Sequence, residues 1–310
     1  MKQTFTLLFI TLILASFSTK AQLNENNYRI YSVGQQKEVS LSDIVKDMES
    51  FDVVFFGEEH NDSVTHYLEN KLFEMLYAEY GKQMALSMEM FDRDVQGVMN
   101  EYLVDAIREK NFLKDARVWS NYKDYRPMVE FAKKNQLDVI CANAPSRYTN
   151  LAGRKGQEAL RYLPDGAHRH FAPLPYETAS GGYYDKLMGL TSHTPEATTT
   201  DAKKPAPAMS MAGFDLIVAQ SLWDATMAYS IAEHLKAYRG KKIMQVNGRF
   251  HSDEGFAVVT QLYNYRPKTR SLVISCGSAE NFRNINWSEF AHLGDYIIIT
   301  DPEVPKTYKD

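Results

Sequence analysis

Cysteine is scarce: the 310-residue chain has two, Cys141 and Cys276. Two thiols cannot build a disulfide-dense scaffold. Without a Cys-x-x-Cys-His run, a covalently attached c-type haem is excluded. Both cysteines sit in apolar stretches, LDVICANA and SLVISCG, where a small buried hydrophobe is expected. A disulfide between them would need an oxidising compartment and the right geometry. A surplus of positive charge is also missing, since the formal net charge is −4. Nucleic acid and anionic membrane surfaces are therefore not the expected partners.

Long hydrophobic runs are absent too. The longest, about 5–17, falls short of the roughly 20 residues that a membrane-spanning helix needs. It follows Lys2 and precedes Thr19-Lys20-Ala21. A basic start, a short apolar stretch and small residues at −3 and −1 form a secretory signal, with cleavage expected after Ala21. Removing Lys2 and Lys20 would take the formal charge from −4 to −6. No cysteine adjoins that point, so lipid attachment there is not expected. An exported protein is expected, periplasmic or associated with an outer membrane.

The remainder has globular composition, 44% hydrophobic and 24% charged. Apolar runs 51–56, 84–89, 137–144, 242–248, 269–277 and 295–301 read as strands. Between them, helical spacing of Val64, Tyr67, Leu68, Leu72, Met75 and Leu76 stops at Gly81. Further helices are expected over about 93–110, over 125–135 with Pro127 near the first turn, and over about 214–237. Strands that are apolar throughout are buried on both faces. Their alternation with helices predicts an open, mostly parallel sheet with helices on both sides. The core is expected over 22–145 and 212–310. Residues 146–211, rich in Gly and Pro, break the rhythm and read as a small, mainly helical insertion, with a disordered tract at 194–208.

In such sheets ligands bind beyond the carboxyl ends of the strands. There the polar residues fall. The first run ends in Gly57-Glu58-Glu59-His60, and the second in Glu89, with Arg93 beyond it. The third ends in Asn143, followed by Arg147, and the fourth in Asn247-Gly248-Arg249-Phe250-His251. Two Gly-x-x-His segments and their carboxylates are expected to share one cleft. The set suits a divalent metal held by His60, Glu89 and His251, metal-free acid–base work, or a self-satisfied polar network. His66 reads equally as support or surface. In the insertion, His168, His170 and His193 with Tyr183, Tyr184 and Met188 could supply an axial ligand to haem.

GEEH, SMEMFDRDVQ, YKDYRPMVEFAKKNQLDVICANAP, AQSLWDATMAYSIAEHL and NGRFHSDEG occur in that order. As an ordered set they resemble the ChaN family of haem-binding, iron-regulated proteins, within a wider group that includes the Tiki and TraB proteins and the erythromycin esterases. The resemblance covers about 50–145 and 212–260. It implies an α/β domain with a small helical domain, a haem pocket between them, and haem uptake or handling at the outer membrane. It also implies cofacial haems across a homodimer, with a Tyr of one subunit on the iron and a His of the other at the propionates.

On that reading the protein binds without turnover and passes haem to or from an outer-membrane receptor. The candidate haem residues are His60, Arg126, Asn143, Arg147, Tyr176, Tyr183, Tyr184 and His251. The Tiki-like side implies instead a metal-dependent hydrolase. There His60, Glu89 and His251 would hold the ion and Glu59 or Glu58 would act as general base.

Overall fold

The computed structural model describes residues 23–192 and 213–308. The expected signal segment, His193 and the tract 194–208 lie outside the described residues. A hairpin comes first, β1 (Tyr28–Ser32) and β2 (Lys37–Val39). It is followed by β3 (Val53–Glu58), β4 (Met84–Asp92), β5 (Asp138–Asn143), β6 (Lys242–Gly248), β7 (Ser271–Ser278) and β8 (Tyr296–Thr300). All eight form one sheet in the order β2-β1-β8-β7-β3-β6-β4-β5. Pairing is parallel from β8 to β5 and antiparallel for β1 with β2 and β8. The α/β class and mostly parallel sheet match the sequence expectation. The hairpin does not follow from an apolar-run criterion, because β2 is solvent-facing.

β3 shows why its sequence is apolar without alternation. Val54 and Phe56 enter a core on one face, and Val53 and Phe55 a core on the other. Helices α1 (Leu41–Asp47), α2 (Ser63–Tyr80), α3 (Gln96–Leu103), α4 (Glu109–Asp115) and α5 (Tyr122–Asn135) accompany the first face. Each fully buried Leu, Phe or Val there contributes about 1.5–3 kcal/mol. Helix α2 starts where Asp62 Oδ1 accepts from the Val64 and Thr65 amides, both at 2.9 Å, a side-chain cap for the helix start.

Two helical expectations change. The region 93–110 breaks after Leu103, where Asp105 takes a left-handed φ of 59°. Helix α5 begins at Tyr122, ahead of the expected start, so Pro127 lies inside the helix instead of at its first turn.

After β5, α6 (Ser146–Lys155), α7 (Asp165–His168) and α8 (Gly181–Ser192) form the inserted segment. Its apolar residues Tyr148, Ala152, Leu160, Phe171 and Tyr176 pack against Leu222 and Ala225 of α9 (Leu216–Ala237). The opposite side of α9 and α10 (Val258–Tyr265) cover the second face of the sheet. Helix α9 is therefore shared between sheet and insertion. Cys141 and Cys276 are buried and unpaired, small hydrophobes in the core. Among the described residues no helix is long and apolar enough to cross a membrane.

Candidate functional site

The two Gly-x-x-His segments meet because β3 and β6 are adjacent, with Gly57 opposite Asn247 and Glu58 opposite Gly248. Both glycines are required by close approach. A Cβ on Gly57 would stand 2.9 Å from the Arg249 backbone, and one on Gly248 would stand 2.8 Å from His60 Nε2.

Each histidine is held by a carboxylate behind it. His60 Nδ1 donates to Glu58 Oε1 at 2.8 Å. His251 Nδ1 donates to Asp224 Oδ1 at 2.6 Å. Glu89 lies between the segments, its Oε2 accepting from the Gly248 amide at 2.7 Å and its Oε1 3.5 Å from His251 Nε2. Tyr183 on α8 donates to Asp224 Oδ2 at 2.7 Å, which seats the insertion on the cleft. Trp119 presents an edge to the His60 ring at 5.2 Å.

The charges follow from this geometry. Burial pushes the His251 pKa down, but the charges of Glu89 and Asp224 outweigh it and raise it to about 10. The same balance raises His60, where burial is outweighed by the bond to Glu58 and the charge of Glu89. Burial pushes Glu89 up, and His251 and His60 bring it below its ordinary value. His251 is an imidazolium at neutral pH, clamped by two carboxylates.

Beneath His60 lies a second buried layer. Glu58 Oε1 also accepts from the Tyr125 hydroxyl at 2.7 Å. His66 Nδ1 stands 3.1 Å from Glu58 Oε2 and 3.4 Å from Glu69 Oε2, and its Nε2 lies 3.1 Å from the His60 carbonyl. His66 is thus buried support. Among the described residues, Glu58, His66 and Glu69 bring ligand atoms within 4.8 Å of one another. His60, Glu89 and His251 do not form such a set.

The remaining candidates lie elsewhere. Glu59 is ion-paired with Lys306 at 3.3 Å and lies 3.9 Å from Arg249. Arg93 leaves the cleft to bind Glu233, the Arg169 carbonyl and Ser230. Arg126 pairs with Glu109 on the exposed side of α5. Arg147 pairs with Asp94 at 2.7 Å and stacks on Tyr148. Asn143 is turned to the Ala144 amide.

Of the three tyrosines, Tyr176 is buried and donates to the Val218 carbonyl. Tyr183 is committed to Asp224, and burial together with that carboxylate raises its pKa well above the usual phenol range; burial, with the charge of Asp215, does the same for Tyr176. Tyr184 and Met188, one turn apart on α8, are each 42% exposed. The residues that sequence reasoning did not single out are Asp224, Glu69, Tyr125 and Trp119. For Asp224 and Glu69 the signal was available: each is an acid within the apolar stripe of a helix.

A cavity of about 270 Å³ adjoins Tyr183 and Asp224, with Phe256 and Gln261 in its wall. That is below the ~300–1,000 Å³ typical of enclosing ligand sites. A large flat ligand does not fit inside this cavity.

Fold and site together define a mostly parallel α/β protein whose central strands deliver two carboxylate-backed histidines beneath a helical insertion. Residues 44–262 match the family described as haem-binding uptake, Tiki superfamily, ChaN, and the chain belongs to that family. Among solved structures it is similar to ChaN of Campylobacter jejuni with cofacial haem. The TM-score is 0.65 at 14% identity, over 89% of this chain and 98% of that one. The type III effector HopBA1 also aligns, with a TM-score of 0.44 at 13% identity, over 84% of this chain and 93% of that one. No curated protein sequence matches.

Proposed function

We propose that this protein is an exported haem-binding protein of iron acquisition, and that haem lies against the exposed face of α8. The observation that carries this is the split between the tyrosines of α8. Tyr183 anchors the helix to Asp224 while Tyr184, beside it, is exposed with Met188 a turn away. A phenolate from Tyr184 would ligate ferric iron. The family membership and the described cofacial haem of the Campylobacter protein support the ligand class. The N-terminal segment with Lys2 and its apolar stretch supports export.

An open ligand face of this kind is completed by a second copy of the chain, so a homodimer with two haems between its subunits is the proposed carrier state. An outer-membrane haem receptor is the proposed exchange partner. The porphyrin supplies the iron chemistry. The chain's residues bind it, orient it and limit water at the iron.

Titration of the purified protein with haemin, read by visible absorbance and size exclusion, tests this. A saturable Soret shift near one haem per chain, with a move to dimer, is the expected result. A shift that never saturates, equal to that of a non-binding control protein, overturns it.

A further inference from the structure

We propose that Glu58, His66 and Glu69 form a buried site for a first-row divalent metal ion, beneath the cleft and separate from the haem face. The three residues stand on rigid elements. Glu58 is the last residue of β3, and His66 and Glu69 are one turn apart on the capped helix α2. The i, i+3 spacing puts the last two on one helix face. Their exposures are 1%, 6% and 0%.

Two features point to an ion. The first is orphaned oxygen. Glu58 Oε1 is occupied by His60 and Tyr125, but Glu58 Oε2 and Glu69 Oε1 have no hydrogen-bond partner, although both side chains are fully buried. Glu58 Oε2 lies 3.1 Å from His66 Nδ1, whose hydrogen bond runs to Glu69 Oε2 at 3.4 Å. Buried carboxylate oxygens left unpaired are costly. An ion bound by both acids and the imidazole satisfies them together.

The second feature is the orientation of the His66 ring. His66 Nε2 is within donor range of the His60 carbonyl at 3.1 Å. A backbone acceptor behind one ring nitrogen presents the other as a ligand, the usual support of a metal-bound histidine. Tyr125 and His60 orient Glu58 in the same way. Two carboxylates and one imidazole, without thiolate, suit Zn²⁺, Mn²⁺ or Fe²⁺ over Cu⁺. The His60 side chain, 37% exposed above Glu58, marks the route in.

The test uses haem-free full-length protein, stripped with chelator, loaded with Zn²⁺ or Mn²⁺, desalted and analysed for metal. One retained equivalent is expected, with a higher Tm than the stripped form. Glu69→Gln and His66→Gln should each lower affinity about tenfold or more, and His251→Ala should leave it unchanged. No retained ion overturns the proposal. So does an ion kept by Glu69→Gln and lost by His251→Ala. Should the variants not fold, pulsed EPR of Mn²⁺ in the unaltered protein decides. One coordinated imidazole nitrogen supports the site, and two overturn it. Haem binding is read separately by its Soret band, so each idea can fail alone.

Discussion

Asp224 Oδ1 lies 2.6 Å from His251 Nδ1, in a pocket where Asp224 is 1% exposed. The same carboxylate accepts from Tyr183. One acid on α9 thus joins the second Gly-x-x-His segment to the insertion.

Replacing Asp224 with Asn removes the negative partner of a buried imidazolium and weakens the bond to Tyr183. A loss of about 3–5 kcal/mol is expected, the range for breaking a buried ion pair from one side. Urea unfolding followed by circular dichroism checks this. A loss within 0.5 kcal/mol, the size of an ordinary surface substitution, would show that the pair carries little.

The pH dependence of stability follows from His251. Its pKa is raised from 6.5 to about 10 by Glu89 and Asp224, against the opposing effect of burial. The titratable groups facing it are Glu89, Asp224, the Tyr183 hydroxyl bound to Asp224, and His60, and the Gln220 amide lies 3.3 Å from its Nδ1. A raised folded pKa gives stability that is complete below about 6.5 and is lost as pH climbs toward 10. Stability should fall through that alkaline window, and His251→Gln should flatten the fall. An equal slope in both proteins would assign the loss to other groups.

Gly57→Ala places a methyl 2.9 Å from the Arg249 backbone and from Ser252 Oγ. Backbone cannot yield as a flexible side chain can, so a cost of about 1–3 kcal/mol is expected. Thermal unfolding measures it. Gly34→Ala, with nothing within 4 Å of the added carbon, is the comparison and should change Tm little.

The sheet core was legible in the sequence because burial on both faces leaves an unmistakable apolar run. Val53 to Phe56 shows it, with consecutive residues sent to opposite cores. The β1–β2 hairpin was not legible by that signal. Its strands alternate or face solvent, and Arg29 pairs with Glu38 across them. The Gly-x-x-His spacing brought out His60 and His251, which adjacent strands place together, since each follows directly on a strand end. It could not identify their partners. Asp224 and Tyr125 reach the cleft from helices far away in sequence, through packing that only the fold supplies. Arg126 and Arg147 looked suitable for an anion, but local acids Glu109 and Asp94 occupy them.

The proposed haem binding rests on ligation of the iron by Tyr184 on α8. Its most direct test is a haemin titration of Tyr184→Phe beside Tyr162→Phe, the latter removing another exposed tyrosine, 88% exposed. Tyr184→Phe should lose the tyrosinate-type absorption and bind at least tenfold more weakly, about 1.4 kcal/mol, while Tyr162→Phe should match the unaltered protein. A Tyr184→Phe protein with unchanged spectrum and affinity would contradict it.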